Sequence, residues 1–484
     1  MNNRNLTLMT DLYELTMMQG YFKSQNSQTV IFDLFYRTNP SHGSYAVMAG
    51  LEQVIDYINN LCFSKEDIDY LREIGCFQED FLEFLQQFKF SGNIYAIPEG
   101  SVIFPQEPLL KVVAPMMEAQ LIETALLNII NHQCLIATKA SRVAWAAKGK
   151  TVIEMGLRRA QGPDAGIYGA RAAIIGGCNA TSNLLAGKMF HIPVAGTHAH
   201  SWIMSFSSEY EAFLSYAKLY PDNCILLVDT YDTLKSGIPN AIRVFENLRQ
   251  WGNLPKRYGI RLDSGDLAYL SKQSRILLDR AGFADAIISA SSDLDEYLID
   301  SLNAQKAAID LWGVGTNLIT SKEHPSFGGV YKLAAVECNG VFQPKIKLSE
   351  NSGKISTPGN KSIYRIYEKS SGKIKADLIA LEEEEFSEDS DLLLFDPVET
   401  WKKTLLPKGS FSLRKMLLPI FEHGTCVYSS PGAMEIQDYC SRELSTLWDE
   451  NRRLIHPQPV YVDLSQKLYK LKTRLLENMP GNFL

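Results

Sequence analysis

The chain has 484 residues, 45% of them hydrophobic and 21% charged, with 48 Lys and Arg against 55 Asp and Glu for a formal net charge of −7. That length predicts roughly two to four domains around a large core, in the composition of a globular protein. The acidic balance, with no basic run anywhere, argues against a nucleic-acid surface, which draws its affinity from clustered Lys and Arg.

The start, Met1-Asn2-Asn3-Arg4-Asn5, has no apolar signal core. Residues 6–22 predict an amphipathic helix capped by Thr10 or Asp11. Residues 30–37 predict a strand, with Val30, Phe32, Leu34 and Tyr36 alternating against Ile31, Asp33, Phe35 and Arg37. A short strand at 44–49, helices over 51–90 and an antiparallel unit built from runs 94–98, 101–104 and 109–114 complete an α+β domain over residues 1–120. The apolar stretch 121–137 is interrupted by Glu123, Asn128, Asn131 and His132, which makes it too polar to span a membrane.

From there the style changes. Short apolar runs at 152–155, 192–195, 224–228, 258–262, 286–290 and 308–312 alternate with helical stretches, among them one helix over 200–219. This predicts parallel βα units over 121–345, closed as an irregular or incomplete barrel that carries the active site. Residues 346–484 predict a C-terminal β/α region that packs partly on the N-terminal domain. In it the acidic run Glu382–Glu385 with Ser387–Asp391 reads as a solvated loop, and a basic amphipathic helix lies around Leu464–Asn478. The eight scattered cysteines, without a CxxC pair, read as reduced, buried residues of a cytosolic protein.

The polar residues fall at the ends of the predicted strands, where a (β/α) barrel builds its site. Arg158 and Arg159 follow the first strand, Thr197 and His200 the second, and Asp229 the third. Arg261, Asp263 and Asp266 follow within IRLDSGD, and Gly313-Val314-Gly315-Thr316 ends the last. Backbone N–H groups at Gly315 and at Gly328-Gly329 suit a phosphate, or mark plain turns. Arg261 suits a carboxylate, and Asp263 with Asp266 a Mg²⁺–diphosphate, or the three form a structural ion-pair cluster. Asp229 reads as a further acidic partner or as a helix N-cap. His198 and His200 are poorly spaced as metal ligands, and His200 stands between a structural and a catalytic reading. Tyr13 alone reads as core.

Taken jointly, TDLYELTM (Thr10–Met17), EMGLRRAQGPDA (Glu154–Ala165), GTHAHS (Gly196–Ser201), IRLDSGDL (Ile260–Leu267), GVGT (Gly313–Thr316), GGVYKL (Gly328–Leu333) and TPGNKSIYR (Thr357–Arg365) resemble the nicotinate phosphoribosyltransferases. Beyond about residue 370 the likeness is one of length and character only. The resemblance implies an α/β fold, an irregular (β/α) barrel of the type II phosphoribosyltransferase kind, flanked by an N-terminal α+β domain and a C-terminal domain. It implies a cytoplasmic, homodimeric enzyme of NAD salvage with shared active sites. Such enzymes form nicotinate mononucleotide and diphosphate from nicotinate and 5-phosphoribosyl 1-diphosphate, with Mg²⁺ and coupled ATP hydrolysis. The family's phosphohistidine falls on His200, its nicotinate contacts on Tyr13, Thr197 and Arg261, and a phosphoribosyl contact on Thr316. Tyr13 is then expected to reach the neighbouring subunit's site. By hypothesis Arg158 or Arg159 neutralises the leaving diphosphate, with metal near Asp263 and Asp266.

A nicotinamide-using relative is the nearest alternative. The quinolinate-using enzymes are disfavoured because this chain is longer and carries the candidate phosphohistidine. A non-catalytic ligand-binding relative and an unrelated barrel lyase or isomerase are the readings from other classes.

Overall fold

The structure is a computed structural model that describes residues 4–349, 354–399 and 401–477. Its contacts divide the chain into two units. The first holds the residues up to Leu135, Ser326–Pro431 and those from Asp438 onward; the second holds Ile136–Pro325 and Gly432–Gln437. The sequence reading drew three parts instead. The two divisions differ because the 24-residue helix Glu123–Ala146 runs through one boundary and because Gly329–Cys338 pairs with a strand of the N-terminal region.

In the first unit, a seven-stranded antiparallel sheet runs Val341–Pro344, Gly329–Cys338, Thr29–Tyr36, Leu110–Pro115, Asn93–Ala96, Leu418–Glu422, Thr425–Cys426. Its third strand, Thr29–Tyr36, is buried at every position after the first. Phe32 stacks on Tyr331 at 4.6 Å, and Ile31 packs against Ala334 and Ala335 on the other face. The alternation read from the sequence is therefore one of two covered faces, with Asp33 held by Lys361 at 2.7 Å. Helices Leu12–Lys23, Leu51–Asn59, Lys65–Ile74 and Glu79–Gln86 cover one side. Asp11 does occupy the first helix's N-cap position but makes no side-chain cap. Buried Glu14 instead accepts from Thr124 N–H at 3.0 Å. Val102–Ile103 leaves the expected antiparallel unit and pairs with Ala46–Val47.

The same unit contains a six-stranded sheet in the order Lys403–Leu406, Leu392–Phe395, Tyr461–Leu464, Ile374–Leu381, Lys361–Glu368, Phe411–Lys415. Ile366, Ala376, Leu378, Leu392, Leu394, Leu406 and Phe411 form its own core. The acidic run is a loop whose Glu383, Glu385, Asp389 and Asp391 are exposed as expected, while two of its carboxylates turn inward. Glu382 pairs with Lys111 at 2.7 Å and Lys415 at 2.5 Å, and buried Glu384 accepts from Ser465 Oγ at 2.5 Å.

Arg365 is fully buried in this unit. It is bidentate to Asp377 at 3.0 and 2.7 Å and reaches Glu443 at 3.1 Å. Removing one partner of a buried ion pair strands the other charges in low dielectric. Arg365→Met should therefore destabilise the chain by about 3–5 kcal/mol, read as a lowered urea midpoint; an unchanged midpoint would contradict that account.

The second unit is an all-parallel half-barrel sheet in the order Ala180–Thr181, Thr151–Glu154, Leu311–Val314, Ile287–Ala290, Tyr258–Leu262, Cys224–Leu227. The irregular α/β barrel expected from the sequence is the observed class. Local differences have local causes. The run 192–195 makes one bridge, Thr181↔Val194, and no strand. The stretch 200–219 is two helices, His200–Met204 and Glu209–Leu219, because Ser208 caps the second by accepting from Glu211 N–H at 3.2 Å.

Cys134, Cys178, Cys224 and Cys440 are buried, but Cys62 and Cys76 are exposed, so burial of the cysteines holds only in part; all eight are free thiols. Among the described residues no helix is long and apolar enough to cross a membrane.

Candidate active site

In the second unit every strand points the same way, so the segments that follow the strands gather along one edge of the sheet. Asp229 is the hub. Its carboxylate takes His200 Nε2 at 3.2 Å on one oxygen. On the other it accepts Asp263 N–H at 2.9 Å and Ser264 Oγ at 2.6 Å. It is not a helix cap; that task falls to Asp232, which accepts from Lys235 N–H at 2.9 Å. Of the two sequence readings of Asp229, the acidic partner is the one observed. An ionised carboxylate only accepts, so this contact places the imidazole proton on Nε2 and leaves the Nδ1 lone pair free. The His200 side chain is 39% exposed and Asp229 2%, which leaves the ring accessible on a buried anchor.

His198 has a different task. Its Nε2 accepts Leu227 N–H at 3.3 Å and its ring meets Tyr216 edge-on at 4.6 Å. Burial, followed by the neighbouring Arg261 charge, pushes its pKa down to about 4, so the ring is neutral near pH 7.

Arg261 donates through Nη1 to Thr197 Oγ1 and through Nη2 to the His198 carbonyl at 3.0 Å. Its Nε is buried with no acceptor. Desolvation lowers the guanidinium's pKa; the Asp263 and Asp229 charges oppose that, and Arg158 adds to it. A small cavity of about 30 Å³ beside it is lined by Ile153, Met155, Ile225 and Leu311 together with Thr197, Asn223, Arg257 and Ser289. A desolvated guanidinium with an unused donor suits an anionic group.

Arg158 and Arg159 sit on the short turn Leu157–Arg159, both exposed. Neither pairs with Glu154, which instead accepts Thr181 Oγ1 at 2.6 Å and the Gly156 amide. Thr316 opens the short helix Thr316–Ile319, and Gly315 precedes it. A Cβ on Gly315 would lie 3.1 Å from the Met155 carbonyl, so a side chain there would crowd the neighbouring strand end.

Asp263 accepts from Ser291 Oγ, and Asp266 caps helix Leu267–Arg280 through Tyr269 N–H at 3.0 Å. Among the described residues no three His, Cys, Asp or Glu form a cluster that could hold a metal. The donor set therefore fits a Mg²⁺ carried by substrate phosphates with one or two carboxylates beside it, and not a dedicated protein cage.

Tyr13, Gly328 and Gly329 belong to the first unit. Tyr13 is 45% exposed on helix Leu12–Lys23. Burial, then the charges of Glu123, Glu14 and Asp11, raises its pKa and keeps the phenol protonated. The Gly329 amide donates to Asn131 Oδ1 at 2.9 Å, and a Cβ would fall 2.2 Å from that oxygen. With Gly329's N–H so used, only Gly328 of the pair remains for a phosphate. The sequence also places Ser291-Ser292-Asp293 at a strand end but gives it no role; the structure adds the Ser291 bond to Asp263 and a strained backbone beside it, where Ser292 has φ +101°.

The family model described as the nicotinate phosphoribosyltransferase N-terminal domain matches residues 8–131, and that of the C-terminal domain matches residues 360–472. The likeness thus extends well past residue 370. The chain is 46% identical to a nicotinate phosphoribosyltransferase of Bacillus subtilis over 484 residues, which is 98% of each chain. It is 37% identical to that of Dictyostelium discoideum, over 98% of this chain and 89% of that one. A crystal structure of human nicotinic acid phosphoribosyltransferase superimposes with a TM-score of 0.85 at 30% identity, covering 96% of this chain and 99% of the other.

Proposed function

The chain belongs to the nicotinate phosphoribosyltransferase family, and from that premise we propose that it joins nicotinate to 5-phosphoribosyl 1-diphosphate with ATP hydrolysis coupled through a phosphohistidine at His200. The pyridine nitrogen forms the bond to ribose C1′ as the C1′–oxygen bond to diphosphate breaks, giving nicotinate mononucleotide. The observation that carries the choice of the acid is Arg261: a desolvated guanidinium with an orphan Nε donor. A carboxylate would satisfy that donor with a charge-assisted bond, which a neutral amide supplies only as a weaker, uncharged one.

The remaining roles follow from placement. Thr197 shares the Arg261 fork and orients it. Exposed Arg158 and Arg159 meet the diphosphate, where cations stabilise the charge that develops as C1′–O breaks. Gly315 and Thr316 offer backbone or hydroxyl donors to phosphate. Asp263 would lie beside a Mg²⁺ carried by the phosphates, which would supply further charge neutralisation. His200, with its proton held by Asp229, presents Nδ1 to the ATP γ-phosphorus; the N–P bond forms as the bond to ADP breaks. Tyr13 stacks on nicotinate in a neighbouring subunit of a homodimer, which its exposed position allows. Unpaired cysteines favour the reducing cytoplasm.

The test is mononucleotide formation by the purified chain with phosphoribosyl diphosphate, Mg²⁺ and ATP, with nicotinate and nicotinamide in parallel. Product from nicotinate and not from nicotinamide is expected. Product from nicotinamide alone, or from neither, would overturn the assignment.

A further inference from the structure

The six-stranded sheet of the first unit contains a feature that the reaction does not use. Asp463, on strand Tyr461–Leu464, is only 5% exposed. In the parallel register it lies opposite Leu378, a residue of that sheet's apolar core. No hydrogen bond or ion pair reaches its carboxylate from the described residues. Burial, followed by the Asp396 charge, raises its pKa to about 6. A buried carboxylate in that setting is normally paired.

Asp463 lines a cavity of about 430 Å³, with Trp448, Tyr461, Leu394, Lys375 and Thr404 among its walls. That volume is in the range of small-molecule sites. The two aromatic residues remain partly open, Trp448 at 37% and Tyr461 at 50%. The indole is fixed by donating Nε1–H to the Ile374 carbonyl at 2.9 Å. A second cavity, of about 630 Å³, shares Lys375 and Thr404 and adds Lys369, Ser370 and Ser410. Lys369 is already bound to Glu388 at 2.8 Å, which leaves Lys375 as the cation common to both.

Aromatic faces attract cations through the ring quadrupole, and a desolvated carboxylate does so more strongly. An inorganic cation needs several free oxygen ligands; on these walls Glu450 is exposed and Asn451 Oδ1 already accepts Trp448 N–H, which leaves Asp463 as the desolvated carboxylate. We propose that this cavity binds a planar organic cation of the N-substituted pyridinium class, its ring against Trp448 and Tyr461, its charge on Asp463, and any anionic tail toward Lys375.

The experiment is calorimetry of the full chain with N1-methylnicotinamide, a pyridinium cation without ribose or phosphate, and with neutral nicotinamide. Binding of one cation per chain is expected, at least tenfold tighter than nicotinamide at the same site. Asp463→Asn and Tyr461→Ala should each weaken the cation at least tenfold and leave mononucleotide formation unchanged. Asp463→Asn removes a buried charge and Tyr461 is half exposed, so both should keep the wild-type melting temperature. Arg261→Ala, in the catalytic site, should leave this binding intact. Absence of binding, equal binding of nicotinamide, binding that survives both cavity variants, or binding lost only in Arg261→Ala would each overturn the proposal. None of these outcomes depends on whether nicotinate is the substrate.

Discussion

Replacing His200 by alanine should abolish nicotinate-dependent ATP hydrolysis, by about 100-fold or more as expected for loss of a covalent acceptor, while slow ATP-independent mononucleotide formation survives. The expectation rests on the way the ring is held. Asp229 accepts from Nε2 at 3.2 Å and is itself fastened to Asp263 N–H and Ser264 Oγ. The nucleophile is therefore tied to the segment that also carries Arg261 and Asp263. Phosphorylation would add a dianion beside the segment that carries Arg261 and Asp263, which would give ATP a means of altering the phosphoribosyl site. Incubation with γ-labelled ATP should leave acid-labile label on the wild-type chain and none on His200→Ala. ATPase activity or label retained in the variant would remove His200 from the coupling and leave the transferase reading intact.

Much of this arrangement was legible in the sequence because strand ends announce themselves. Apolar runs such as Cys224–Leu227 and Tyr258–Leu262 stop at polar residues, and buried parallel strands admit little else. What escaped depends on contacts distant in the chain. Ala180–Thr181 is a two-residue strand inside an Ala- and Gly-rich stretch, too short to show a period. The last strand begins at Leu311 and not at Ala308, because Asp310 takes Ile288 N–H at 2.9 Å on its side chain and gives its own N–H to the Ile288 carbonyl at 2.8 Å. Asp229 was ambiguous since a carboxylate shortly before a helical turn suits a cap or a hub equally well. Only its partners, 29 to 35 residues away, decide between them. Gly328-Gly329 invited a phosphate reading that the Asn131 contact restricts to one glycine.

Arg261 tests the substrate assignment itself. Arg261→Lys keeps the charge and loses the planar fork, so it should raise the KM for nicotinate about 10-fold or more, with a smaller change in kcat. Arg261→Ala removes the charge as well, and truncating one member of a desolvated charged contact costs about 2–5 kcal/mol, or roughly 30-fold or more in affinity. The effect should fall on the acid alone. Nicotinamide, with no carboxylate to lose a partner, should gain on nicotinate in kcat/KM, and the ratio of the two is the quantity to measure. A structural role predicts something else: Arg261 also anchors Thr197 and the His198 carbonyl, and loss of that anchor alone would impair both substrates in proportion. Steady-state kinetics with nicotinate and nicotinamide on the same variant separate the two outcomes. If both substrates decline together, Arg261 holds the loop and something else reads the carboxylate.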